Sequence, residues 1–447
     1  MFLKAKLKYI WGLMQGSFWL VPIIIIIIGI GFACLLLLID YAVEIQPTGP
    51  FEYFFSGNAD ASRTVLSIVS SAMIGLAGTV FSITLVALTL ASSQFGSRLL
   101  RNFMHDRLNQ VVLGTYISTY LYCLIILRTV RAKDPFTFVP NFSVLFAVFL
   151  AFGNIILLVI FIHHIAESIR ADRVVADIYL NLSRNIQLMF PKDGNSLWRK
   201  DEHAKFQKAC AQKYHTSIHI TARQSGYLQA VDYDHLCNSV QQLDGMIRLH
   251  YKGGDFIIEG TTIAELQLIA PVDTGKLAVF DKAMVYGEER TNTQDPEYAI
   301  HQLVEIAARA LSPGINDPFT AISCIDYLTA HLRNLAQLPF DAPYMLDCNQ
   351  EPRVLAKAHR FDAILHAAFD IIRECAEGNP AILIRMAERL TGLREMVIEK
   401  EQAQAVDEYL GVIQSAGERS LVEQKDLEDF RKRIAHYQQV KGHHHFS

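Results

Sequence analysis

From Phe18 to Ile39 the chain runs for 22 residues without a charged side chain, and six consecutive isoleucines, Ile23 to Ile28, lie inside that stretch. As a helix it would reach roughly 33 Å at 1.5 Å per residue, enough to cross a hydrocarbon core about 30 Å thick. Lys4, Lys6 and Lys8 precede it in the manner of a signal peptide. The apolar stretch, however, exceeds the roughly 7–15 residues of a cleavable signal and no A-x-A site follows, so it is expected to remain as an anchor. Three more segments have the same character: the charge-free stretch Thr64 to Ser97, Val111 to Leu127 between Arg107 and Arg128, and Phe142 to Ile165. Together they predict a domain of four transmembrane helices over residues 1–170.

The rest of the chain differs in kind. Of the 447 residues 51% are hydrophobic and only 19% charged, against about 25% charged in an average soluble chain. The depletion is local: residues 1–170 carry a net charge of +4 and residues 171–447 one of −8. This pattern excludes a disordered chain, a fibrous repeat and a plain nucleic-acid binder. Seven scattered cysteines, none in a C-x-x-C pair, form neither a disulfide framework nor a zinc pattern. Short-loop cations number eight on the side of the N-terminus (Lys4, Lys6, Lys8, Arg98, Arg101, Arg107, Arg170, Arg173) and four on the other (Arg63, Arg128, Arg131, Lys133), which puts both termini in the cytoplasm. The aromatic residues Phe51, Tyr53, Phe54 and Phe55 would then lie at the outer interface.

The second segment carries the most specific pattern. Ser67, Ser71, Gly75, Gly78, Ser82, Thr89 and Ser93 recur every three or four residues, interrupted only at Val86, and so share one helical face. Such a stripe suits close packing between helices, because small residues let backbones approach; it also suits the polar lining of a pore or cavity. The third segment places Thr115, Thr119 and Tyr122 on one face, and the fourth has Asn154 near its middle. Neither holds a carboxylate or base at mid-membrane, which argues against a proton-driven pump.

The soluble half reads as a helical linker over 171–214, a small β-rich domain over 215–285 and a helical domain over 286–447: an α+β region with a small β-sandwich and a helical hairpin or bundle. Ser217 to Asp232 and Met246 to Leu249 alternate in strand fashion. Lys252-Gly-Gly-Asp-Phe-Ile-Ile-Glu-Gly260 is similar to the glycine-punctuated hairpins of lipoyl- and biotinyl-type barrels, but lacks the lysine those modify. Asp295-Pro296 and Asn316-Asp317-Pro318 each open an amphipathic helix, with aspartate as cap and proline in the first turn. Ser312 to Asn316 is the turn between these two helices, where Arg309 could meet Asp317. Further helices are expected over Val354 to Cys375, Ala381 to Lys400 and Lys425 to Val440. Neither nucleotide fingerprint, G-x-x-x-x-G-K-[ST] or G-x-G-x-x-G, is present. No metal site and no cofactor is implied.

Several long motifs carry a resemblance. Gly78-Thr-Val-Phe-Ser-Ile-Thr-Leu-Val-Ala-Leu-Thr-Leu-Ala-Ser-Ser-Gln-Phe-Gly-Ser-Arg98 with its continuation to Met104, Phe161-Ile-His-His-Ile-Ala166, Ser225-Gly-Tyr-Leu-Gln229, Arg290-Thr-x-x-Gln-Asp295 and Arg309-Ala-Leu-Ser-Pro-Gly-Ile-Asn-Asp-Pro-Phe-Thr-Ala321 resemble the domain-of-unknown-function 2254 family of predicted bacterial membrane proteins. The resemblance implies four membrane helices in a bacterial inner membrane and a cytoplasmic C-terminal region. It transfers no activity. The expected function is an oligomeric channel- or transporter-like protein with a cytoplasmic regulatory domain, the partners being the lipid bilayer, further copies of the chain and an ion or small molecule. The alternatives are a membrane-anchored scaffold or ligand sensor, and a tethered enzyme with Arg290, Gln294, Asp295, Asn316 and Asp317 around a cytoplasmic cleft; Arg309 is a further candidate residue of that region.

Overall fold

The computed structural model describes residues 19–42, 58–96, 106–131, 138–189, 196–197, 213–272, 280, 282–337 and 344–444. Lys4, Lys6, Lys8, Phe51, Tyr53, Phe54, Phe55, Arg98, Arg101, Lys133 and Cys210 lie outside the described residues. The chain divides into two compact units, Met1–Arg173 and Val174–Ser447.

The first unit holds four helices long and apolar enough to cross a membrane: α1 Leu20–Ala42, α2 Ala59–Phe95, α3 Arg107–Thr129 and α4 Asn141–Ser168. Helix α3 is central and packs against the other three. Its contact with α1 depends on two glycines. A Cβ on Gly114 would stand 2.8 Å from Pro22 Cα, and one on Gly29 only 1.9 Å from Ser118 Oγ, so the two backbones meet where side chains are missing. Ser118 Oγ donates to Ile25 O across that contact (3.3 Å).

Several polar groups inside this unit are matched across helices. Asn154 Nδ2 donates to Thr119 Oγ1 (2.9 Å), Tyr116 OH to Asn154 O (2.9 Å) and Tyr122 OH to Ser143 O (2.9 Å). The start of α4 lacks a cap of its own, since Pro140 occupies the cap position. Asp40 of α1 supplies it instead: its carboxylate accepts from Phe142 N (2.9 Å), Ser143 N (3.0 Å) and Ser143 Oγ (2.5 Å). Arg63 does the same for the other end of α3, donating to Val130 O (2.9 Å). In a bilayer, where water is absent, such orphan backbone groups need partners of this kind.

In chain order the elements after α4 are α5 Ala171–Met189, β1 Ser196–Leu197, β2 Thr216–Thr221, β3 Gly226–Val231, α6 Tyr233–Gln242, β4 Gly245–Leu249, β5 Phe256–Ile257, β6 Thr262–Leu268 and β7 Met284–Gly287. Then come α7 Pro296–Ala310, α8 Pro318–Leu335, β8 Tyr344–Leu346, β9 Pro352–Leu355, α9 Phe361–Cys375, α10 Pro380–Met396, α11 Lys400–Ser420 and α12 Gln424–His444. The strands form two small sheets, one of six strands in the order β1-β8-β9-β4-β6-β2 and one of three in the order β5-β3-β7. Ladders are antiparallel except β4–β9, which is parallel. Ile247 pairs with Leu266 on one side and Val354 on the other, and all three are fully buried.

Two expectations need correction. The larger sheet takes β1, β8 and β9 from outside 215–285, so that segment does not bound it. Val354 and Leu355, expected to begin a helix, instead belong to β9: both are buried, and β4 and β8 offer open backbone edges on either side. The Asp-Pro pairs act as the sequence suggests. Asp295 Oδ1 accepts from Glu297 N (3.1 Å) and Asp317 Oδ1 from Thr320 N (3.1 Å), each with proline in the first turn.

Candidate functional site

The stripe on α2 faces away from its own bundle. Leu66, Met73, Ala77, Val80, Ala87 and Ala91 form the buried face, whereas Ser67, Ser71, Gly75, Gly78, Ser82, Thr89 and Ser93 are all exposed. A Cβ on Gly75 or Gly78 would meet no atom within 4 Å. Among the described residues the glycines that bring helices of this unit together are therefore Gly29 and Gly114, and not Gly75 and Gly78 of the α2 stripe. Several α2 hydroxyls turn back onto their own helix: Thr79 Oγ1 donates to Gly75 O (3.1 Å), Thr89 Oγ1 to Leu85 O (2.9 Å) and Ser93 Oγ to Leu90 O (2.9 Å). Outward residues of α1 and α4 are of another kind, including Ile27, Ile28, Leu38, Phe149, Ile156 and Val159.

At one end of the bundle, Asp106 caps α3 by accepting from Leu108 N (2.8 Å) and bonds His164 Nε2 on α4 through its other oxygen. His163, by contrast, is exposed beside Glu167.

In the second unit, Arg290, Gln294 and Asp295 come together with residues the sequence did not single out. Gln294 uses both ends of its amide on one residue of β3: Oε1 accepts from Val231 N (2.8 Å) and Nε2 donates to Val231 O (2.9 Å). Asp295 is buried and receives Arg290 Nε on Oδ2 (2.7 Å) while Oδ1 caps α7. The Lys252-Gly-Gly-Asp255 turn lies against this pair. A Cβ on Gly253 would fall 2.6 Å from Gln294 O, and one on Gly254, whose φ is +93°, 2.3 Å from Asp295 Oδ2. Two motifs some forty residues apart in sequence thus interlock, and glycine is required by space at both positions and by conformation at Gly254.

A charged network continues from there. Lys252 Nζ donates to Glu297 Oε1 (2.5 Å) and contacts His359 Nδ1 (2.9 Å), while Arg290 lies 3.8 Å from Glu297. Lys357 Nζ donates to Asp255 Oδ2 (2.9 Å), which also accepts from Lys252 N (3.1 Å). Hydrogen bonding from His359 and Lys252 outweighs burial and holds the Glu297 carboxyl well below the usual carboxylate range. For Asp295 the balance is reversed: burial raises it, against the lowering effect of Arg290. Lys252 could have been suspected from its glycine-rich turn and Glu297 from its place in the first turn of α7; nothing local marks His359.

Arg309, Asn316 and Asp317 lie at the other end of α7, a helix of 15 residues and so about 22 Å long. Arg309 pairs with Glu305 one turn back (3.2 Å) and not with Asp317. The Asp317 carboxylate is already taken by Thr320, through both its backbone N and its hydroxyl (2.5 Å). Asn316 adopts φ +49°, the left-handed geometry that reverses the chain between the helices. Among the described residues, no three His, Cys, Asp or Glu side chains are grouped to hold a metal ion.

Comparison with known proteins bears on most of the chain. The DUF2254 family, described as predicted membrane proteins, matches residues 15–391. The chain belongs to that family. It is 29% identical over 428 residues to the uncharacterized protein Rv1290c of Mycobacterium tuberculosis strain H37Rv and to the uncharacterized protein Mb1321c of Mycobacterium bovis, covering 95% of this chain and 80% of each relative. No solved structure matches. Both interlocked motifs and the α2 stripe fall inside the family match, whereas α11 and α12 lie beyond it.

Proposed function

We propose that the protein is a homo-oligomeric, channel-like membrane protein in which the second helices of several copies gather through their Ser67–Ser93 faces, both termini lie in the cytoplasm, and the second unit regulates the assembly. The observation that carries this reading is the outward orientation of the stripe. Lipid-facing surfaces gain most from large apolar side chains, which α1 and α4 present; small and hydroxylated residues are instead the usual surface of helix contact in membranes. A face of this kind, exposed among the described residues of one copy, fits a partner in another. The enzyme reading loses support, because Gln294 is spent on the Val231 backbone, Asp295 on a cap and Arg290, and Asp317 on the Thr320 amide and hydroxyl.

Ion flux through proteoliposomes holding the full chain tests the proposal. Flux above that of empty vesicles, altered by Gly78→Leu in protein that still assembles, is the expected result. Flux no different from empty vesicles across monovalent and divalent salts overturns the channel reading.

A further inference from the structure

A cavity of about 250 Å³ opens in the first unit, away from the α2 stripe, with Trp19 at the start of α1, Val80, Thr84 and Leu88 of α2, and Asn109 and Leu113 of α3 in its wall. It is largely apolar, with two informative polar groups. Asn109 is only 5% exposed, and its Oδ1 has no hydrogen-bond partner among the described residues. The Thr84 hydroxyl gives its proton to Val80 O (2.8 Å), so its oxygen too is left as an acceptor.

We propose that this cavity binds the hydroxyl-bearing end of an amphiphile, the hydroxyl donating to Asn109 Oδ1 and the apolar part lying against Val80, Leu88 and Leu113. A buried amide oxygen without a partner is costly to keep, and a ligand donor removes that cost. The donor is neutral, because no acidic side chain is in the wall among the described residues and an unpaired cation is far more costly to bury. Carboxylates and ethers, which offer only acceptors, are mismatched. A cavity of 150 Å³ holds a benzene ring, so this one takes about ten non-hydrogen atoms. Trp19 is the residue type that marks the membrane–water boundary, where amphiphile head groups lie.

The test uses the full chain in phosphatidylcholine nanodiscs, since that head group has no hydrogen-bond donor. Tritiated 1-decanol should bind saturably and be displaced by unlabelled 1-decanol about tenfold more readily than by 1-methoxydecane, which lacks the donor. Asn109→Leu, close in shape, should melt no lower than the parent without ligand and lose the preference for the alcohol. Leu88→Trp, which fills the cavity, should abolish saturable binding. Suppression of decanol binding by phosphatidylglycerol in the discs supports the site with a lipid head group as its source; undiminished binding there supports it with a free alcohol. No saturable binding, equal displacement by the ether, or an unchanged preference in Asn109→Leu overturns the proposal.

Discussion

Asp40, near the end of α1, caps α4 through Ser143, accepting from both its backbone N and its hydroxyl although the two residues are 103 positions apart. A cap usually comes from the residue just before the helix. Here Pro140 takes that place and a neighbouring helix provides the carboxylate, so the cap also fixes α1 against α4.

The first prediction follows. Asp40→Ala should lower stability by about 1–2 kcal/mol, toward the upper part of the range for lost caps, because several donors lose their acceptor together. Asp40→Asn, which still accepts, should cost less. Thermal unfolding of the purified chain in one detergent ranks the three proteins, and equal melting of Asp40→Ala and parent would remove the cap from the account.

Gly254 and Asp295 should be energetically coupled. Gly254→Ala places a methyl group against the Asp295 carboxylate at a positive φ and should cost more than about 1 kcal/mol. Asp295→Ala removes both the cap and the partner of Arg290, and roughly 1–3 kcal/mol is expected. Removing the carboxylate also removes the clash, so the double variant should be more stable than the sum of the two losses implies. Strict additivity in denaturant unfolding would count against the interlock.

His331 gives a pH dependence. It is fully buried in α8, neither ring nitrogen has a hydrogen-bond partner among the described residues, and desolvation lowers its pKa to about 3 from an ordinary 6.5. The unfolded chain then binds a proton that the folded chain refuses, so this contribution to stability is complete above pH 6.5 and is lost progressively as pH falls toward 3. His331→Leu should flatten that part of the stability–pH curve. A variant curve parallel to the parent's over pH 3–6.5 would contradict this.

Orientation is tested by labelling. With both termini in the cytoplasm, Asp60→Cys at the start of α2 should react with an impermeant maleimide added to intact cells, and Arg170→Cys beyond α4 should not. Both positions are exposed within their unit. The reverse pattern would invert the topology.

The parts of this fold that depend on local chemistry were legible in the sequence. Four long apolar runs became α1 to α4, and the Asp-Pro pairs became capped helices because a carboxylate, a proline and an apolar periodicity stand side by side. The Ser67–Ser93 periodicity was equally plain, but which way it faces depends on how α2 packs against α3, a contact between positions distant in sequence. The same limit hid Asp40 from Ser143 and Lys252 from His359, pairs separated by more than a hundred residues. Arg309 illustrates the converse. Proximity across a turn suggested Asp317, yet Glu305 lies one helical turn away and Thr320 had already engaged the carboxylate.

The most direct test of the central claim is disulfide cross-linking between copies along α2 in native membranes. Single substitutions Ser67→Cys, Ser71→Cys, Ser82→Cys and Thr89→Cys are compared with Phe81→Cys and Leu90→Cys, which are exposed to either side of the stripe, and with the parent chain, whose Cys34 is itself exposed. The account predicts linked dimers that rise and fall with helical periodicity and peak on the small-residue face. Equal cross-linking at all positions, or a peak at Phe81 and Leu90, would contradict it.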